Sequence, residues 1–391
     1  MAECIPFVTS DGTARLVASL YSDSHIVRVP LDRVNVAAAL NRSSRVWLDP
    51  ATDGVDNLKS RRGQPGNDTW FNLMQSFPHF AKIGTPEYQK APVRSEVDQF
   101  VKALMDRCLT HKPAWITVPQ LPFANGSDRN KINRTLAASA GRWKSARGFS
   151  GKFILPIVFT HQQQLRGKTA RNPKVRQAEW CYREAGAEGF WVVDSSLSDE
   201  SGSSTLRHRT RAIIDLHQEL NERISSKIRI GGPYWGLNLV LWAKGLVDHP
   251  AIGIGSGYQY LLPGSPMRGP TARAALPSLR RRVVVRLEFK AWLDIAAGKL
   301  AGSHPARAEL LEIRRQYTAL TAYPAAREQV ARFYKGWVDL IAGTPTVGRS
   351  MALFQDLSAA YALGKSLPDI AGEKPAKRPE AVAEPLMLSC L

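Results

Sequence analysis

From Lys152 to Gly236 the chain alternates short apolar runs with longer amphipathic ones. Phe153–Thr160 is apolar at nearly every position and stops at His161, Gln162, Gln163 and Gln164. Gly189–Asp194 stops at Ser195 and Ser196, and Lys227–Ile230 runs into Gly231, Gly232, Pro233, Tyr234, Trp235 and Gly236. Strands that are apolar on both faces and separated by helical segments predict βαβ units and a parallel sheet covered on both sides. In each unit the polar side chains gather at the strand's C-terminal end, the rim where α/β folds carry their chemistry.

The same rhythm extends in both directions. His25–Val29, Arg45–Leu48, Ala114–Val118 and Ala251–Ile254 read as strands, which brings the count to seven. Val283–Leu287 is the candidate for an eighth, although its spacing fits a helix almost as well; Leu16–Tyr21 reads as a strand or a short helix. Seven or eight βα units over about 270 residues match a (β/α)8 barrel, with an open doubly wound sheet as the alternative. The barrel is expected over residues 1–295, with a long loop and helical insertion at 51–112. Helical periodicity over Ala308–Thr321, Ala325–Ala342 and Ser350–Leu363 predicts a helical extension at 296–371. The proline-containing residues 372–391 are expected to be a disordered tail.

Composition narrows the function classes. Hydrophobic residues make up 44% and charged residues 22% of the 391, as in a soluble globular protein. No apolar run approaches the ~20 residues that span a bilayer, and no secretion signal is expected, since residues 1–16 lack a basic segment followed by an apolar core. The four cysteines, Cys4, Cys108, Cys181 and Cys390, show no metal or disulfide spacing, so the expectation is a cytoplasmic protein without a structural metal. No phosphate-loop motif is present and no cofactor is expected. A net charge of +19 points to a polyanionic partner, most simply DNA or RNA. Arg61 and Arg62, Arg129 and Lys131, and Arg166, Lys168, Arg171 and Lys174 all follow predicted strands. In a barrel they would lie at the mouth and could hold a phosphate backbone.

The strand ends, among which Tyr260 follows Ala251–Ile254, supply the candidate chemistry. Asp49, Asp194 and His161 are the catalytic candidates, since carboxylates near an imidazole can divide acid, base and nucleophile roles. Gln120, Gln162, Ser195, Gly231, Gly232, Tyr234, Trp235 and Tyr258 are the substrate-binding candidates, the aromatic ones suiting a planar base. Each has a structural reading beside it. Asp49 before Pro50 suits a turn, Asp194 a cap, and His161 a bond to a neighbouring loop. Tyr234 and Trp235 suit rim packing, and Gly231 and Gly232 a tight turn. His208 and His217 lack metal-binding spacing and are expected at the surface.

These residues together resemble the barrel of the tRNA-guanine transglycosylases and their DNA-modifying 7-deazaguanine relatives, over roughly residues 44–264. The resemblance lies in Asp49 after an early strand, in the Phe153–Gln162 strand and loop, and in the Val192–Glu200 and Gly231–Gly236 stretches. It implies exchange of one base for another through a covalent intermediate at the sugar C1′. Asp49 would then recognise the base or act as general acid/base, and Gln162 would contact the base edge. The chain departs from the family at Gly255–Tyr258, where the late-strand nucleophilic aspartate is missing, and in lacking the zinc-binding cysteines. Either Asp194 takes over the attack or the chemistry is different or lost. The alternative is a non-catalytic barrel that binds nucleic acid or a partner protein in a modification or defence complex.

Overall fold

The computed structural model describes residues 4–21, 25–57, 69–124, 127–197, 203–234, 236–253, 260, 274–278, 281–285, 302–303, 307–308, 311, 323–366 and 379–391. Eight parallel strands close into a barrel in chain order. They are β1 (Ile5–Phe7), β2 (Ile26–Pro30), β3 (Arg45–Asp49), β4 (Trp115–Thr117), β5 (Lys152–Phe159), β6 (Gly189–Asp194), β7 (Ile228–Gly231) and β8 (His249–Gly253). The ring closes where Ile5 pairs with Ala251 and Phe7 with Gly253. The fold is therefore the (β/α)8, or TIM, barrel that the alternation predicts.

The strand at Ile5–Phe7 corrects the expected position of the eighth. It is only three residues long and carries a proline, so it offers no periodicity to recognise. The β-branched run near Val283 instead belongs to an antiparallel hairpin, β9 (Ala274–Ser278) with β10 (Arg281–Val285), outside the barrel.

Helices sheathe the strands. The first, α1 (Asp11–Leu20), starts at a reciprocal cap: Ser10 Oγ accepts the Thr13 N–H at 3.3 Å, and Thr13 Oγ1 accepts the Ser10 N–H at 3.0 Å. A 3-10 segment, Leu31–Ala39, follows β2. The insertion after β3 contains short helices and α2 (Arg94–Leu109), whose Val97, Phe100, Val101, Leu104 and Met105 are buried. Then come α3 (Ser127–Arg147), α4 (Lys168–Glu184), α5 (Ser203–Arg223) and the short, wholly buried α6 (Leu237–Ala243). Helices α3 and α4 approach so closely that a Cβ at Gly141 would lie 2.1 Å from the Glu184 carbonyl oxygen.

Three further helices complete the outer layer: α7 (Tyr323–Gly343), α8 (Arg349–Ser366) and α9 (Pro379–Cys390). Helix α7 touches both α1 and α6, so this group fills the sector between the first and last helices of the barrel. The expected helices at 325–342 and 350–363 match α7 and α8, and most of the one at 308–321 lies outside the described residues. The tail differs from expectation. Pro379–Cys390 is helical and packs along α5 and α8, with Ala383, Leu386 and Cys390 buried. Apolar side chains on one helical face outweigh Pro385, which the helix carries internally.

The interior of the barrel is aromatic. The rings of Phe7, Trp47 and Trp191 meet edge to face with centroids 5.4–5.6 Å apart. Both indole N–H groups of this trio are satisfied: Trp47 donates to Thr117 Oγ1 at 2.8 Å and Trp191 to the Gly232 carbonyl at 2.6 Å.

Candidate active site

Strand alternation decides which residues face this interior. Trp47 points inward, so Asp49, two residues later on β3, does too. Arg28 pairs opposite Trp47 on β2 and points the same way. The guanidinium of Arg28 lies 4.8 Å from the Phe7 ring centroid and 5.7 Å from those of Trp191 and Tyr260. Its Nε donates to Asp49 Oδ2 at 2.9 Å and its Nη2 donates to the same oxygen. The other Asp49 oxygen accepts the Ala51 N–H at 2.9 Å.

A second carboxyl completes the group. Asp53 sits in the 3-10 turn Thr52–Asn57 that follows β3. Tyr260, beyond β8, donates its hydroxyl to Asp53 Oδ2 at 2.5 Å, and its ring meets Trp191 edge-on at 5.1 Å. Arg28, Asp49, Asp53 and Tyr260 are 4%, 1%, 3% and 4% exposed. Among the described residues, one cation thus serves two buried carboxyls at the C-terminal end of the barrel.

The electrostatics follow from that imbalance. Burial, then the neighbouring Asp49 charge, push the Asp53 carboxyl up to about 7, against the opposing pull of the Tyr260 hydrogen bond and Arg28. Burial works against the Arg28 charge, but Asp49, Tyr260 and Asp53 outweigh it and raise its pKa. Burial and Asp53 hold the Tyr260 phenol well above its ordinary range, so it remains a proton donor.

The structure separates the three catalytic candidates. Asp49 is in this cluster. Asp194 lies three residues beyond the inward-facing Trp191 and so points to the helical layer. There its Oδ2 accepts from Arg209 Nη2 at 3.0 Å, and its Oδ1 accepts from the Ser196 N–H at 2.8 Å and hydroxyl at 2.6 Å. His161 is exposed on the rim. The expected convergence of Asp49, Asp194 and His161 in one pocket does not occur. Opposite strand faces and a rim loop keep them apart.

The binding candidates are mostly occupied in holding the rim together. Gln120 is buried and its Nε2 donates to the carbonyls of Pro119 and Asn133 at 2.8 and 3.0 Å. Ser195 Oγ donates to the Phe159 carbonyl at 3.1 Å. Gly231 ends β7, where a Cβ would meet Val247 at 2.9 Å, and Gly232 adopts φ +94°. Tyr234 is buried and donates to the Val192 carbonyl at 2.9 Å. Gln162 opens the turn Gln162–Leu165, but it is Gln164 that pins this turn. Gln164 accepts the N–H groups of Thr160 and His161 and donates to the Phe123 carbonyl at 2.6 Å. Trp235, Tyr258, Arg61 and Arg62 lie outside the described residues, as does the side chain of Gln162.

The expected basic face is divided. Arg166 and Lys168 are exposed near the rim, as is Lys131, whose Nζ donates to the Lys90 carbonyl at 3.1 Å. Arg129 is half-buried, donating to Gln89 and to the Pro122 carbonyl. Arg171 and Lys174 are turned inward. Arg171 pairs with Asp215 and Glu219 at 3.1 and 2.8 Å, while Lys174 donates to the Ala170 carbonyl and its pKa is lowered by burial. Exposed cations also flank the strand starts, at Arg42, Arg45, Lys112, Lys152 and Lys227, so positive charge sits at both ends of the barrel. His208 is exposed as expected, whereas His217 is fully buried.

Two residues of the cluster escaped the strand-end reading. Arg28 had a signal, a lone cation inside the apolar run Ile26–Val29, but Asp53 is one of several polar residues in a loop. Among the described residues no group of three or more His, Cys, Asp or Glu side chains is placed to hold a metal ion. Nor is any of their helices long and apolar enough to cross a membrane. No family model and no curated protein matches the chain. Among solved structures, a probable tagatose 6 phosphate kinase from Sinorhizobium meliloti 1021 aligns over 100% of this chain and 97% of its own. The identity is 13% and the TM-score 0.35, a likeness too slight to bear on substrate or chemistry.

Proposed function

We propose that the chain is an acid–base enzyme whose reacting groups are Asp53 and Asp49, acting on a base or N-glycosidic bond in nucleic acid. The observation that carries this reading is the pairing of two buried carboxyls with unequal partners at the mouth of a TIM barrel. Asp49 is anchored by Arg28, whereas the side-chain donor to Asp53 among the described residues is the Tyr260 phenol. A carboxyl that changes charge near neutrality can give a proton to a departing base and take it back. The anchored Asp49 carboxylate would stabilise positive charge building at the sugar carbon.

Nucleic acid as the partner is supported by the net charge of +19 and by the exposed Lys131, Arg166 and Lys168 beyond the strand ends. The transglycosylase-like chemistry rests on Asp49 keeping the position the resemblance gives it. The test is to incubate the full chain with tRNA and with DNA, digest to nucleosides and analyse these by mass spectrometry. A free base or altered nucleoside is expected from wild type and not from Asp53→Asn or Asp49→Asn. No product, or undiminished product from both variants, would overturn the assignment.

A second reading has its own observation. All four groups of the cluster are buried, as in a barrel that uses buried charge for architecture alone. Such a protein would bind nucleic acid, or a partner in a modification or defence system, without turnover. Salt-dependent binding with no product in the same assay would favour it.

A further inference from the structure

We infer that Tyr260 is a positioning residue for the proposed acid–base centre: the hydrogen bond it gives Asp53 decides whether that carboxyl carries charge beside Asp49. This rests on the assignment of Asp53 as a reacting group, but its test does not need turnover.

Tyr260 and Asp53 are 207 positions apart in sequence and meet at 2.5 Å. The contact is held from several sides. Trp191 fixes the Tyr260 ring edge-on at 5.1 Å, and the Arg28 guanidinium lies 5.7 Å from its centroid. Among the described residues, the charged and titratable groups facing Asp53 are Asp49 from β3, Arg28 from β2 and Tyr260 from beyond β8. Arg28 gives both of its described hydrogen bonds to Asp49. Tyr260 is therefore the side-chain donor described for Asp53, whose own backbone N–H adds a smaller pull. Charge on Asp53 is opposed by burial and by Asp49; it is favoured by Tyr260 and, from farther away, by Arg28. Because the phenol keeps its proton throughout the working range, it acts as a fixed donor and does not compete for the Asp53 proton. Without it the carboxylate would lose the largest of the pulls that favour its charge, leaving Arg28 and its own backbone N–H against burial and Asp49, and the neutral form would persist to higher pH.

The experiment is an infrared pH titration of the full chain, following the carbonyl stretch of a protonated carboxyl. The Asp53 band is identified by its loss in Asp53→Asn. In wild type it should fade around pH 7. In Tyr260→Phe, which keeps the ring against Trp191 and Arg28, it should persist about one pH unit higher. Replacing tyrosine by 3-fluorotyrosine makes the phenol a stronger donor with little change in packing. It should move the band the other way, and it gives a second measurement should the Phe variant fail to fold. An unchanged or lowered titration in Tyr260→Phe, no displacement with 3-fluorotyrosine, or no Asp53-dependent band between about pH 4 and 9, would overturn the inference. If the band shifts as expected while nucleic acid stays unmodified, the functional reading fails and the role of Tyr260 stands.

Discussion

Arg28 and Asp49, on neighbouring strands of the barrel, share an ion pair in which both partners are almost wholly removed from water and the guanidinium is ringed by Phe7, Trp191 and Tyr260. Breaking such a pair from one side leaves an uncompensated charge in an aromatic interior. Arg28→Met should therefore cost about 3–5 kcal/mol, whereas Arg28→Met combined with Asp49→Leu should recover most of the loss. Urea denaturation of the two variants checks this.

The pH dependence contributed by Asp53 has a definite sign. Its folded-state value, about 7, lies above the ordinary 3.8, so the folded chain holds a proton there that the unfolded chain releases. Stability from this group is fully present below about 3.8 and is lost as pH rises through 7. Asp53→Asn removes the dependence. The melting temperature of the variant should therefore gain on wild type by several degrees between pH 5 and 8.

His217 works in the opposite direction. It is fully buried on α5 against Gly231, and neither ring nitrogen has a hydrogen-bond partner among the described residues. Burial, then Arg229, depress it to about 3 from 6.5. The unfolded chain takes up the proton first, so stability is present above pH 6.5 and lost as pH falls from 6.5 towards 3. In His217→Leu the melting temperature should fall less between pH 7 and 5 than in wild type. A steeper acid loss would count against this account.

Two glycines make a matched contrast. Gly141→Ala drives a methyl group against the Glu184 carbonyl where α3 and α4 touch, and should destabilise by at least about 1–3 kcal/mol. Gly336→Ala, within α7 and with no atom within 4 Å of the new methyl, should stabilise by about 0.5–1 kcal/mol. Thermal melts of both settle the comparison.

Asp194→Asn should separate architecture from chemistry. It weakens the bonds to Arg209 and Ser196 that fix the start of the loop after β6. A loss of about 1.5–3 kcal/mol in stability is expected, with any turnover by the proposed Asp49–Asp53 centre retained in the fraction that stays folded. Loss of turnover at full folding would return Asp194 to the reacting group.

The barrel was legible in the sequence because parallel strands buried on both faces leave continuous apolar runs, and seven of the eight announce themselves that way. The strand at Ile5–Phe7 is too short to do so, and the β-branched run at Val283 carries strand propensity without saying which sheet it joins. The site was half legible. Asp49 and Tyr260 stand at strand ends, where chemistry is expected. Position along a strand does not by itself tell inward from outward, which is why Asp194 looked equivalent to Asp49. Parity from Trp191 tells them apart once the interior is known. Asp53 had no local mark at all, since its environment is made by residues from β2, β3 and beyond β8. Pro379–Cys390 reads as disordered by its prolines, yet Leu386 packs against Gly236, a contact invisible in local composition.

The pairing of Ile5 with Ala251 has a bearing on how the chain matures. During synthesis the N-terminal strand emerges first but must wait for residues 249–253 before its free edge is taken up. Until then Phe7 and its neighbours expose an unpaired edge and an unfinished aromatic interior, so the interval between first and last strand is when a growing chain would most need shielding from its neighbours.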